Sequence, residues 1–207
     1  MAIYRTVSKI PIFTWATKPA ASTFVGEIRI SDVGFGGSDW YSNGVSYYPK
    51  VPVILANNYT PYTTSNGTAS EILIAPITLP PGILQVGSGL KLSYSLAKSG
   101  AVEVATVQHR LGTDATGLTG TIVAFNASIS ATFRNFANVR EFIISSTTAI
   151  TDLTAASANP YVGTANVDNP VKTIANVSNT LYLSATCTKT TGGIETLTSN
   201  ASTLYLY

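Results

Sequence analysis

The sequence predicts an all-β protein, and three observations support this prediction. Apolar residues recur at every second position in several short stretches: Leu90, Leu92, Tyr94 and Leu96 alternate with polar or small residues. This alternation is expected of a strand with one face in a core and one face in solvent. Turn-forming residues separate such stretches at intervals of about 8–12 residues, which is typical of β-sandwiches. No segment shows a sustained helical period.

Four segments can be distinguished along the 207 residues. Residues 1–23 are predicted to form an extended arm, 24–56 a small β-hairpin module, 57–68 a linker, and 69–207 an antiparallel β-sandwich of jelly-roll-like type. The linker is assigned because residues 57–68 are rich in Asn, Thr, Ser, Pro and Gly. The arm has too many apolar side chains for a disordered tail. We therefore expect it to order against the rest of the chain or against a neighbouring protein.

The small module carries the clearest turn signal in the chain. Ile28 and Ile30 alternate with charged residues, as in a half-buried strand. The dipeptide Asn43-Gly44 follows between aromatic and β-branched residues, and Asn-Gly is typical of a tight hairpin because both residues tolerate a positive φ. For Trp40, between these two features, packing inside the module is favoured over contact with a ligand.

Several strands of the sandwich can be placed from the alternating pattern. The apolar parity changes across Pro76, which predicts a bulge or an edge position there. Pro80-Pro81-Gly82 predicts a turn. Residues 146–171 have little period and are predicted to form a long loop, of the kind that is often functional. Further strands are expected at 90–97, 102–111, 119–125, 129–136, 139–145, 180–188 and 202–207.

The composition favours an assembly. Only 11% of the residues are charged, against roughly 25% in typical soluble proteins. A chain of this kind can bury surface against copies of itself or in a larger structure; the alternative is a monomeric, Thr-rich β protein with a neutral surface. The net charge of +2 gives no case for a nucleic-acid partner. No apolar run approaches the ~18 residues that membrane insertion requires.

The residues that usually carry chemistry are scarce. His109 is the only histidine and Cys187 the only cysteine, and the parity of each places it among core residues. Asp32 and Asp39 bracket a glycine-rich turn, where a calcium site is a minor alternative to ordinary Asx-turn bonding. We therefore expect no catalytic residue, no cofactor and no metal, and a protein that is not an enzyme.

Two parts of the chain resemble proteins of tailed-bacteriophage virions. The Gly26–Lys50 unit resembles a small β module of phage fibre and appendage proteins. The segments 68–73, 77–84 and 87–92 resemble the opening of a β-sandwich domain in such proteins, and this opening is followed there by a strand that ends in a segment like Arg110-Leu111-Gly112-Thr113. The resemblance spans residues 24 to about 125 and is only architectural after that.

The resemblance implies a non-enzymatic virion fibre or spike, homotrimeric, that contributes to attachment to the host surface. The arm would then bind other virion proteins, with Ile10, Ile12, Phe13 and Trp15 as its anchoring residues. Asn159 and Tyr161 in the long loop are candidate receptor contacts, with a host surface glycan as the candidate partner. Residues 1–17 lack the apolar core of a signal peptide, so we expect synthesis in the host cytoplasm and a final location in the virion. Alternatives are a capsid decoration or head-fibre protein with a purely structural role, and a lectin-like module from another source.

Overall fold

The protein consists of two compact units. One comprises Met1–Leu55 together with Tyr207, and the other comprises Ala56–Leu206. Strands dominate both, and no α-helix occurs in the described part of the chain, so the all-β prediction is confirmed. None of the described residues forms a helix long and apolar enough to cross a membrane. This computed structural model describes residues 9–64, 71–100, 105–129, 135–153, 171–189 and 195–207.

The first unit contains a four-stranded sheet with the strand order β1-β2-β3-β4. Its strands are β1 (Ile12–Phe13), β2 (Val25–Ile30), β3 (Ser38–Asn43) and β4 (Tyr47–Pro49). The first two run parallel and the others antiparallel. The predicted Asn-Gly hairpin is confirmed between β3 and β4: Gly44 has a φ of 88°, and the Asn43 Oδ1 accepts hydrogen bonds from the N–H groups of Val45 and Ser46 at 2.8 and 2.9 Å.

The arm closes one face of this sheet through a pair of tryptophans. Trp15 packs on Trp40 with a ring-centroid distance of 5.0 Å and an interplanar angle of 58°. Trp40 is completely buried, which confirms the packing role predicted for it, and Trp15 is only 6% exposed. The backbone N–H of Trp15 donates to Asp32 Oδ1 at 2.7 Å, and the Lys18 Nζ lies 4.0 Å from the Trp15 ring centroid. The described part of the arm is therefore built into the first unit.

The rest of the chain forms two further sheets. One has four strands in the order β10-β9-β14-β7, and the other has the order β13-β12-β11-β8-β15-β5, with β6 also paired to β15. Their strands are β5 (Val53–Asn58), β6 (Tyr62–Thr63), β7 (Glu71–Leu79), β8 (Gly89–Lys98), β9 (Ala105–Gly112), β10 (Thr121–Ile129), β11 (Asn135–Ser146), β12 (Ala149–Asp152), β13 (Val171–Thr173), β14 (Leu181–Lys189) and β15 (Leu197–Leu206).

The two sheets of the second unit enclose one apolar core, which confirms the predicted sandwich. In β8 the even-numbered residues are buried, and in β9 the odd-numbered residues are buried. The side chains meet across the sheets, since the Tyr94 hydroxyl of β8 lies 2.8 Å from His109 Nε2 of β9. Strand β8 leads into the opposite sheet, the β9–β10 pair stays there, and β11 returns to lie beside β8.

Part of the predicted linker is strand. Residues 57–58 end β5, and Thr63 in β6 pairs with Thr198 in β15. The Thr63 and Thr198 hydroxyls are 2.8 Å apart, and the N–H of Thr64 donates to the carbonyl of Leu197 at 2.9 Å. Backbone pairing to a distant strand thus orders a segment that its composition marked as a turn region. Residues 65–68 lie outside the described range.

Residues 130–134 of the strand predicted at 129–136 lie outside the described range, whereas one loop assignment from the sequence was wrong. The long loop predicted for 146–171 contains β12, which returns along β11 through a turn at Thr147–Thr148. That turn has no Gly, Asn or Pro, so the usual sequence signal for a hairpin is missing.

The irregularity predicted at Pro76 is confirmed. Strand β14 pairs Leu183 with Ile77 and Ala185 with Ile74, so β7 contains one residue more than its partner over this interval. An extra residue of this kind is a β-bulge. A bulge in this interval is consistent with Pro76, because proline has no backbone N–H to donate to the neighbouring strand.

Removal of the Trp15 ring is expected to destabilise the first unit. The Trp15→Ala substitution leaves a cavity against Trp40, and comparable core truncations cost about 3–5 kcal/mol of unfolding free energy. Urea titration followed by the fluorescence of Trp40 measures this loss. The control is Ile12→Ala on β1, where the side chain is 66% exposed and the change should stay within about 0.5 kcal/mol. Equal midpoints for the two variants would contradict this account of the arm.

Candidate functional site

The four residues predicted to anchor the arm occupy different environments. Ile10 and Ile12 are exposed, Phe13 is half-buried, and Trp15 is buried against Trp40. The Cα register pairs Ile12 with Arg29 and Phe13 with Ile30. Trp15 is therefore a packing residue of the first unit, and only the two isoleucines present large apolar side chains to a partner. That they bind another protein stays a prediction.

The predicted receptor contacts cannot be placed. Asn159 and Tyr161 lie outside the described residues, as does most of the loop that carries them. The second unit exposes two aromatic residues close together in sequence: Tyr59, in the turn between β5 and β6, and Tyr62, the first residue of β6. Tyr59 is 72% exposed, and its hydroxyl accepts a hydrogen bond from Asn57 Nδ2 at 2.5 Å.

One face of the small sheet is exposed and carries both apolar and charged side chains. We call it the outer face: its apolar members are Val25, Tyr41 and Tyr48, with Ile12 on the neighbouring edge strand. The register places Tyr41 opposite Tyr48, and all four side chains are at least 40% exposed. Two ion pairs share this face, Lys50–Glu27 at 2.7 Å and Arg29–Asp39 at 2.9 Å, and Glu27 lies directly opposite Tyr41. Because each pair is internally neutral, the outer face carries little net charge.

A groove opens at one end of the same unit, beside the glycine-rich loop between β2 and β3. We call it the loop groove. Its volume is about 270 Å³. Phe35 and Val51 both line it, and they are 68% and 63% exposed. The groove is lined by Arg29, Gly34, Phe35, Gly37, Ser38, Asp39, Val51, Pro52, Val53 and Ile54.

Asp32 and Asp39, the candidates for a calcium site, each bind a donor of the first unit. Asp32 accepts the N–H of Trp15, and Asp39 accepts the Arg29 guanidinium. Among the described residues, no three His, Cys, Asp or Glu side chains are close enough to one another to hold a metal ion. The two carboxylates therefore serve the folding of the arm and the loop.

The only histidine lies at the centre of the sandwich. His109 is completely buried, with Nε2 2.8 Å from the Tyr94 hydroxyl and Nδ1 3.3 Å from the Ala124 carbonyl. Because a carbonyl only accepts, Nδ1 carries the proton, and the neutral ring can accept the tyrosine hydroxyl at Nε2. Burial and, to a lesser degree, the charge of Arg140 lower the pKa of His109 to about 3, against the opposing effect of the bond to Ala124.

Other charged groups in the sandwich interior are paired. Arg140 contacts Asp152 at 3.5 Å, with side chains 9% and 12% exposed, and Lys98 contacts Glu195 at 3.5 Å. Pairing of this kind offsets the cost of removing charges from water. The Cys187 thiol is also buried, and burial raises its pKa to about 12. The one histidine and the one cysteine are thus a neutral imidazole and an unreactive thiol, as their parity predicted.

The loop groove was not predicted from the sequence. The sequence predicts only a glycine-rich turn between Asp32 and Asp39, and it assigns no role to Phe35 within that turn. A large aromatic residue inside a glycine-rich loop is a signal that could have indicated an exposed ring. The other segment that lines the groove, residues 51–54, is too distant in the sequence for a local pattern to place it beside the glycine-rich turn.

Comparison with known proteins gives limited information. No protein-family model and no curated protein matches this sequence. Two solved structures are similar in shape over 82% of this chain: particles derived from infectious bursal virus, at 11% identity and a TM-score of 0.35, and the Gx strain of infectious bursal disease virus, at 13% identity and 0.27. The chain spans about two fifths of their length, since 40% and 41% of those chains are covered. Neither match is close enough to assign this chain to a family.

The buried histidine makes stability depend on pH. His109 binds a proton near pH 6.5 when unfolded but only near pH 3 when folded, so the unfolded state binds more protons between these values and stability falls as the pH falls. We expect the free energy of unfolding to be about 2 kcal/mol lower at pH 5 than at pH 7.5. Urea titrations at the two pH values measure this difference.

The matched control is His109→Gln, which removes the titrating group. This variant should be less stable than the parent at pH 7.5 because the Tyr94 contact changes, yet its stability should be nearly equal at the two pH values. A parent protein that is equally stable at pH 5 and pH 7.5 would refute the assignment of His109 as a buried neutral base.

Proposed function

We propose that this chain is a non-enzymatic structural subunit of a bacteriophage virion, a homotrimeric fibre or spike that contributes to attachment to the host surface. The observation that carries the proposal is the exposed outer face of the first unit, where Val25, Tyr41 and Tyr48 face solvent together. Contiguous apolar side chains on a surface mark sites of protein association. The sequence resemblance to phage appendage proteins is the reason for proposing a homotrimeric fibre or spike.

The charge distribution supports an association of this kind. With 11% charged residues, the chain has few groups that would resist burial. The charged residues of the outer face form neutral pairs, so a partner that covers the face would not leave a buried charge without its counter-ion. A surface with these properties fits a second copy of itself or a neutral region of another virion protein.

The buried positions of His109 and Cys187 support a role without catalysis. A general base must reach a substrate proton at hydrogen-bond distance, and a nucleophilic thiol must be accessible and ionised near neutral pH. His109 is sealed between two sheets with a depressed pKa, and the Cys187 thiol is buried with a raised pKa. His109 therefore cannot act as a general base in this fold, and Cys187 cannot act as a nucleophile.

The full-length chain is expected to be a trimer at micromolar concentration, and the outer face is expected to hold it together. The Val25→Asp substitution places a charge on that face and should weaken self-association at least about ten-fold, since burial of an unpaired carboxylate costs more than 1.4 kcal/mol. Multi-angle light scattering after size exclusion measures the mass. The control is Val86→Asp at an exposed position of the second unit, which should leave the trimer intact. A monomeric parent would contradict the trimer, and equal effects of the two substitutions would contradict the assigned face.

Purified full-length chain is expected to compete with whole virions for adsorption to host cells. Three copies in one particle multiply weak individual contacts, so the trimer should compete at lower chain concentration than the Val25→Asp variant. The measurement is the rate of loss of free virions from the medium. Absence of competition by an intact trimer would contradict the attachment role and favour capsid decoration instead.

A further inference from the structure

The loop groove adjoins the part of the outer face assigned to assembly and extends beyond it. Arg29 and Asp39 border the groove near the β2–β3 loop, while Val25 lies at the opposite end of β2, about 13 Å away. Tyr41 is nearer, since it lies two residues from Asp39 on β3, or about 7 Å. An interface centred on Val25, Tyr41 and Tyr48 therefore borders the Arg29–Asp39 pair, and Phe35 in the β2–β3 loop lies beyond that pair.

The glycine-rich wall of the groove has a fixed shape. Gly34 and Gly37 have φ values of 78° and 84°, in the region that glycine adopts far more readily than other residues. A Cβ at Gly37 would lie 2.8 Å from the Ile30 carbonyl oxygen, and one at Gly34 would lie 2.9 Å from Val53 Cγ1. The loop is therefore packed closely on β2 and on Val53, and it contributes Phe35 to the lining of the groove.

Hydrogen bonds fix Ser38, which lines the groove. The Ser38 hydroxyl donates to the Val33 carbonyl at 2.8 Å and accepts the Trp40 indole N–H at 2.7 Å. These bonds join the groove to the buried tryptophan of the first unit. A preformed site of this kind needs little reorganisation when a ligand binds.

Polar groups converge at one end. The Arg29 guanidinium donates to Asp39 Oδ1 at 2.9 Å and to the Gly36 carbonyl at 2.7 Å. Both Arg29 and Asp39 are about 40% exposed. A guanidinium has five N–H donors, so Arg29 keeps donors for a ligand. Among the described residues, no hydrogen bond uses the second carboxylate oxygen of Asp39. A donor and an acceptor thus stand side by side, next to an aromatic ring.

We propose that the loop groove binds a neutral sugar residue of a surface glycan. Adjacent hydroxyls of a sugar ring can donate to a carboxylate and accept from a guanidinium, and the apolar C–H face of the ring can pack on Phe35. The groove volume of about 270 Å³ is just below the usual range of ligand pockets, which fits one or two sugar residues. Because Asp39 cancels the charge of Arg29, a sugar that carries a carboxylate gains no net attraction. This inference rests on the proposed attachment role and names its ligand.

The test uses full-length protein on an array of immobilised oligosaccharides. The neutral probes are oligomers of glucose, galactose, mannose and N-acetylglucosamine, and the acidic probes are oligomers of galacturonic acid and sialylated galactose. Dense immobilisation raises weak affinities to a measurable level. We expect binding to at least one neutral class, reduced at least ten-fold by Phe35→Ala and by Asp39→Asn. The matched control is Tyr59→Ala, which removes an equally exposed ring and should leave binding unchanged.

Three results would overturn the inference: no binding to any probe, binding to acidic probes alone, or binding that Phe35→Ala leaves intact. Binding lost in Tyr59→Ala would assign the site to the β5–β6 turn instead. Phe35 is exposed, so its truncation should not unfold the protein, and an unchanged urea midpoint verifies this. If the Phe35→Ala trimer still competes with virions for adsorption, the attachment role stands and the groove assignment fails.

Discussion

The hydrogen bond between Tyr94 and His109 constrains the rest of the sandwich. Both groups are buried in the sandwich interior, and a buried polar group left without a partner costs about 1–3 kcal/mol. The bond crosses from β8 to β9, and the second histidine nitrogen bonds to the carbonyl of Ala124 in β10. A one-residue slip of β8 would turn Tyr94 outward and leave the Nε2 atom of His109 without this partner. Three strands are therefore held in one register by one side-chain pair.

The first unit depends on a different kind of contact. Its sheet has only short strands, and its core is small, so a large share of its apolar burial comes from the two indole rings. The arm adds one of those rings. As a result one face of the sheet is closed by the chain itself, while the outer face and the loop groove stay open. The same local sequence thus produces a stable inner face and two surfaces available to partners.

Much of the fold followed from periodicity, and most of the candidate site did not. The alternation in residues 90–96 placed β8 correctly because one face of that strand is buried and the other is wet. Strand β6 was missed because its order comes from pairing with β15, more than a hundred residues away. The arm's apolar content indicated that it orders, but the sequence could not distinguish Trp15, which turns inward, from Ile12, which does not. The loop groove requires two segments to meet in space, and no local pattern contains that information.

The position of β15 in the seven-stranded sheet has a consequence for how the chain reaches its native state. Strand β8, at the middle of that sheet, pairs with β15 from Lys98–Leu197 to Leu90–Leu206, over sequence separations of about a hundred residues. Contacts between such distant residues require a large loss of chain entropy before they contribute any stabilisation. During synthesis β8 must wait, with one edge unpaired, until β15 has left the ribosome. Folding of the sandwich is therefore expected to be slow, whereas the hairpin of β3 and β4 can form as soon as it is made.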